Sequence, residues 1–117
     1  MDCHDENVRS RKTDKIRALN DRLRQIGTGG RVMMTRAVAA LPPAKIDTLI
    51  NAVGAFDAFD QRNDPWGEHD FGKVTLAAKT YFWKIDAYDL NLEFGSPDPS
   101  DEAVTRRVLT IMTGDDM

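Results

Sequence analysis

Cysteine and histidine are nearly absent from this chain. Cys3 is the single cysteine, so no internal disulfide can form. A lone thiol in a polar stretch suits a reducing compartment better than an oxidising one. The histidines are His4 and His69, and no CxxC or HExxH spacing occurs. Serine is sparse too: Ser10, Ser96 and Ser100 stand outside any Gly-x-Ser-x-Gly elbow. No run approaches the ~20 apolar residues that cross a bilayer. No apolar h-region follows a basic start, so no signal peptide is expected. These absences lead to the expectation of a cytoplasmic protein without membrane contact.

What is present fits one domain. The 117 residues are 41% hydrophobic and 30% charged, with net charge −3. A chain of this length can bury a core without disulfides or metals. Charge is unevenly spread. Residues 1–45 hold ten Lys/Arg and five Asp/Glu, a balance of +5, whereas residues 46–117 hold six and fourteen, a balance of −8. Either the fold interleaves the halves, or the molecule has one basic and one acidic face or a basic arm on an acidic body.

Residues 1–12 are polar and aperiodic and are read as a flexible arm ahead of a single domain, residues 13–117. Ile16, Leu19, Leu23 and Ile26 recur at helical spacing, with Thr13 as a possible cap and Gly27, Gly29 and Gly30 as a stop. A short strand is read at 31–35. Residues 37–41 are ambiguous. Pro43 opens a second helix that ends near Asp60, with Ile46, Leu49, Ile50, Val53, Phe56 and Phe59 as its stripe. Strands are read at 71–77, 80–85 and 92–94, the first two joined by a hairpin that lacks Asn-Gly. Asp98 and Pro99 cap a last helix over 99–113, with Val104, Val108, Ile111 and Met112 as its stripe. The order α-β-α-β-β-β-α predicts an α+β fold: an antiparallel sheet of about 3–4 strands with helices packed on one face.

The densest polar run is Asn63-Asp64-Pro65-Trp66-Gly67-Glu68-His69-Asp70. With Asp86 it offers carboxylates and an imidazole, the residue types of metal or acid–base sites. The candidate metal set is Asp64, Glu68, His69, Asp70 and Asp86. Against it, strand alternation would place His69 opposite Glu68 and Asp70, so the expectation is a structural His69, hydrogen-bonded to nearby backbone or carboxylate, and no cofactor or metal. The glycine-rich run 27–31 follows a helix and precedes a strand, the reverse of a phosphate loop, and is rejected as one.

Arg9, Arg11, Lys12, Lys15, Arg17, Arg22 and Arg24 form a basic cluster without interleaved aromatics. A solvated helix face explains it better than nucleic-acid contact. The aromatic set is Trp66, Tyr81, Phe82, Trp83 and Tyr88. Alternation sends Tyr81 and Trp83 to one face and Phe82 to the other; one face is core, and the other is either covered by a helix or an exposed contact patch.

Several phrases resemble an uncharacterised family of small bacterial proteins known only as a domain of unknown function. They are the run from Asn63 to Gly72, Phe82-Trp83-Lys84-Ile85-Asp86, Gly95-Ser96-Pro97-Asp98-Pro99-Ser100-Asp101, and Val104 to Met112. The similarity extends over about residues 14–113. It departs where relatives tend to have Asp-Tyr-Tyr-Asp and this chain has Asp86-Ala87-Tyr88-Asp89, and again in the tail from Thr113. The resemblance implies a mobile-element setting and supplies no activity. The function expected is therefore a small acidic interaction protein that binds and blocks a larger partner, with a nucleic-acid-binding effector of host defence as the candidate partner (anti-CRISPR or anti-restriction). Its candidate contacts are Trp66, Asp86, Tyr88, Asp89, Glu93 and Asp98. The alternatives are a metal-dependent enzyme using the set around His69, and a regulator touching nucleic acid through the basic arm.

Overall fold

The computed structural model describes residues 3–117, with side chains from Ser10 onward; Cys3 and His4 thus fall outside the described side chains. Its elements run α1 (Cys3–Ile26), β1 (Arg31–Met34), α2 (Arg36–Ala39), α3 (Pro43–Ala55), β2 (Phe71–Leu76), β3 (Lys79–Tyr88) and β4 (Arg106–Thr113). Short 3-10 turns occupy Glu102–Val104 and Gly114–Asp116. No described helix is long and apolar enough to cross a membrane.

The strands form one sheet in the order β1-β4-β3-β2. The pairs β2–β3 and β3–β4 are antiparallel, but β1 lies parallel to β4. The sheet is therefore mixed, not purely antiparallel as expected. The cause lies in residues 99–113. Their apolar spacing predicts a helix, but only Glu102–Val104 turn, and Arg106–Thr113 extend as the second inner strand. Val108, Thr110, Ile111 and Thr113 are β-branched and suit a pleated surface. Residues 92–94 are no strand. Asp89 ties them into a turn by accepting the backbone N–H groups of Asn91 and Glu93. Helix α1 spans Cys3–Ile26, so residues 3–12 of the segment read as an arm belong to the helix. The second helix ends at Ala55, with Phe56 already extended, rather than near Asp60.

The β2–β3 hairpin turns at Ala77 and Ala78, whose φ values of 51° and 64° are both left-handed. This is the backbone of the primed two-residue turns, which normally demand Asn or Gly.

All helices pack on one face. Leu23 of α1, Val38 of α2 and Leu49 and Val53 of α3 meet Tyr81, Trp83, Ile85, Leu109 and Ile111 of the inner strands in one core. Trp83 is fully buried, and Gly72 beside it is obligatory: a Cβ there would stand 2.7 Å from the indole. The buried side of α1 differs from the expected stripe. Leu19 and Leu23 are buried with Asn20 and Arg24 beside them, while Ile26 is 71% exposed.

Arg24 explains how a cation enters the core. Its Nη1 donates to the carbonyls of Val53, Gly54 and Phe56 at 2.8–3.0 Å, and its Nη2 donates to Asp21 at 2.9 Å. Those carbonyls include the unsatisfied acceptors at the end of α3, where partial negative charge favours a cation. The guanidinium also stacks over Phe59 and Trp83 at 5.3 and 5.2 Å.

Candidate functional site

The turn after α3 is docked onto α1. Arg17 Nε donates to the Gly67 carbonyl at 2.6 Å and Asn20 Nδ2 to the Glu68 carbonyl at 2.9 Å. Buried Asp64 folds the turn on itself by accepting the N–H groups of Glu68 and His69 at 2.9 and 3.1 Å. His69 takes a left-handed φ of 54°, and β2 begins only at Phe71. Strand alternation therefore does not govern residues 68–70, contrary to the sequence reading. The imidazole instead swings toward the helices. Its Nδ1 lies 2.9 Å from the Asp21 carboxylate, its Nε2 lies 3.7 Å from Asp64, and its ring stacks on Phe59 at 3.7 Å. The carboxylate partner expected for His69 is thus Asp21, which sequence distance concealed.

Two carboxylates, Asp21 and Asp64, thus face the two ring nitrogens, and Asp64 alone of these belongs to the set read as metal ligands. Glu68 and Asp70 are half-buried. Burial first, then mutual repulsion with neighbouring carboxylates, holds both acids above their ordinary values. Asp86 stands on the opposite side of the sheet and pairs with Lys84 at 3.0 Å. Among the described residues, no group of three His, Cys, Asp or Glu side chains is placed to hold a metal ion. His69 stacks on Phe59, Asp64 accepts the N–H groups of its own turn, and Asp86 pairs with Lys84.

The second face of the sheet is a different surface. Leu109 and Ile111 point into the core, so Arg106, Val108, Thr110 and Met112 point away from it. The register carries that face across the strands. Phe82 lies beside Met112, Lys84 beside Thr110, Asp86 beside Val108 and Tyr88 beside Arg106. On the outer strands, Arg31 flanks Val108 and Met33 flanks Thr110, while Phe71 flanks Lys84 and Lys73 flanks Phe82. No helix contributes a core residue to this face. Of the described elements, the turn Gly114–Asp116 comes against it, at the Phe82 end.

Phe71 and Phe82 stack here with centroids 6.0 Å apart, both half-buried. Around them Arg31, Lys73, Lys84 and Arg106 are exposed. At the end of the face, Arg31 and Arg106 line an open cavity of about 530 Å³ together with Leu90, Leu92 and Glu102, the last paired with Arg22 at 3.0 Å. Of the two outcomes left open for the aromatic alternation, the one realised is an uncovered patch on the Phe82 side.

The candidate contacts fall apart into three places. Asp86 and Tyr88 stand on the open face. Trp66, 78% exposed, belongs to the turn docked on α1, on the helical side. Asp89, Glu93 and Asp98 belong to the segment after β3. Asp98 accepts both the N–H and the hydroxyl of Ser100, which holds its carboxyl below the ordinary value. Sequence reasoning missed Arg31, Lys73, Lys84 and Arg106, because their neighbours in space come from four strands.

Comparison with curated proteins and with solved structures gave no match. A family model described as "Protein of unknown function (DUF3768)" matches residues 34–116. That span holds α3, β2, β3 and β4, and so both sides of the inner strands, while α1 precedes it. With most of the chain inside the match, this protein belongs to that family of unknown function.

Proposed function

We propose that the chain is a binding protein that engages a larger macromolecule through the uncovered face of its sheet. One observation carries this reading: three aromatic residues, Phe71, Phe82 and Tyr88, stand on a sheet face that no helix covers. Aromatic side chains on an open surface supply contact area at low entropic cost and commonly mark interaction sites. Such binding masks the partner's own surface, and inhibition of a host defence system is the physiological form we propose for it. The acidic-face version of that idea draws less support. Asp86 is paired with Lys84, and Asp89 and Asp98 are engaged by their own turns.

Affinity capture of proteins and nucleic acids from native cells tests the reading. Wild type, Phe82→Ala and Trp66→Ala are compared after circular dichroism has verified each fold. The expected result is a macromolecule retained by wild type and by Trp66→Ala and lost with Phe82→Ala. Equal retention by all three variants overturns the proposed face, and turnover of a small substrate by the purified protein overturns the binding reading altogether.

A further inference from the structure

Resting on the open-face reading, we infer that its occupant is a single-stranded nucleic acid. Charge complementarity and aromatic placement together point to it. The chain as a whole carries −3, yet this face sets four cations, Arg31, Lys73, Lys84 and Arg106, against one carboxylate, Asp86. Asp86 is neutralised by Lys84 at 3.0 Å. The turn at the Phe82 end brings Asp115 and Asp116 nearby. Asp116 is engaged there, accepting from Thr35, from the Thr113 hydroxyl and from the Thr113 N–H at 2.7–2.9 Å. Arg31, Lys73 and Arg106 have no salt-bridge partner among the described residues. The acidity of the chain therefore lies elsewhere, and the sheet face is locally basic.

Single strands are bound by cations that track the phosphates and by aromatic rings on which bases stack. Both parts are present. Phe82 and Tyr88 point the same way along β3, six residues apart, which at the rise of a strand is about 20 Å. That distance spans a few nucleotides. Lys73 and Lys84 flank Phe82 and Phe71, and Arg106 flanks Tyr88, so each ring has a cation beside it. The cavity between Arg31 and Arg106 lies at the Tyr88 end, within the size range of small-ligand pockets. Duplex presents its bases stacked and paired, out of reach of such rings, so the face selects unpaired strands. An acidic protein segment would satisfy the cations and leave the rings without their π-face partners.

Fluorescence anisotropy with labelled oligo-dT, oligo-U and a duplex of equal length tests this on the full chain. Both single strands are expected to bind at low salt and the duplex to bind at least ten-fold more weakly. Neutralising three phosphate contacts, one each for Arg31, Lys73 and Arg106, gives a slope of log K against log salt of about −2. Phe82→Ala and Tyr88→Ala should each weaken binding about ten-fold or more. Lys73→Gln and Arg106→Gln, both at exposed positions, should each reduce the salt slope by about 0.7. Several results overturn the inference: no single-strand binding at low salt, equal affinity for duplex, or binding that Lys12→Gln with Lys15→Gln on α1 abolishes while the face variants leave it intact. A Phe82-dependent protein partner captured from cells, together with no oligonucleotide binding, overturns this inference and leaves the open-face reading standing.

Discussion

The two faces of the sheet are made by the same strands, often by adjacent residues, and they obey different demands. On the covered face Trp83, Tyr81 and Ile111 are almost completely buried, and even the cation Arg24 is admitted only because three carbonyls and a carboxylate receive it. On the open face Phe82 and Tyr88 are only half-buried, and cations stand among them exposed. Burial penalises every polar group that lacks a partner, so the first face is tuned for packing. The second is free to keep charge and aromatic area together, which is the composition of a contact surface. One alternating strand thus serves stability and recognition on alternate residues.

The sharpest way to break this comparison is to truncate one ring on each face. Trp83→Ala should cost about 3–5 kcal/mol in urea unfolding, whereas Phe82→Ala should cost about 1 kcal/mol. Equal losses would mean that the open face is core after all. Next in size is Arg24→Met, which keeps volume but strands the carbonyls of Val53, Gly54 and Phe56. A loss of about 2–3 kcal/mol is expected from the same measurement. The hairpin turn offers a change that touches neither face. Ala78→Gly relieves a left-handed alanine and should raise stability by about 0.5–1 kcal/mol, read from the thermal midpoint. Binding should be unaltered. The smallest effect concerns a half-buried charge just before β2. Burial raises the Asp70 carboxyl above its ordinary 3.8, so the folded chain takes up that proton more readily than the unfolded chain. The group favours folding below 3.8 and loses that advantage as pH rises through its folded value. Asp70→Asn should therefore stabilise the fold near neutral pH, by less than Ala78→Gly does, and its gain should disappear below 3.8. A gain independent of pH would mean that the carboxylate is solvated.

Much of this was legible in the residues themselves. The stripe of α3, the hairpin of β2 and β3, and the opposed faces of Tyr81 and Phe82 follow from period alone. Residues 99–113 misled for a physical reason. Strand β4 points Arg107 into the interior, where its Nε donates to Asn20 at 2.9 Å and its guanidinium reaches the Pro99 carbonyl. An inward arginine disguises the alternation, and Val104, Val108, Ile111 and Met112 then mimic a helical stripe. The same displacement hid the parallel pairing of β1. At His69, a positive φ broke the alternation that had been extended to it. The open face was half visible, since Phe82 announced it, but its cations needed the register of four strands.

The place of β4 has a consequence for a chain emerging from the ribosome. The strand that comes last in chain order lies inside the sheet, between β1 and β3, and Arg31 finds its neighbour only at Val108. Until β4 has cleared the exit tunnel, β1 has no strand to pair with and β3 keeps one bare edge. Bare edges in a nascent chain invite pairing with other chains. The helices α1 and α3 and the β2–β3 hairpin can form early from local contacts, but the sheet closes in a single late step that joins the two ends of the fold. Ribosome stalling just before β4 should therefore yield a species that resists aggregation poorly, and release of those eight strand residues should convert it to the native state.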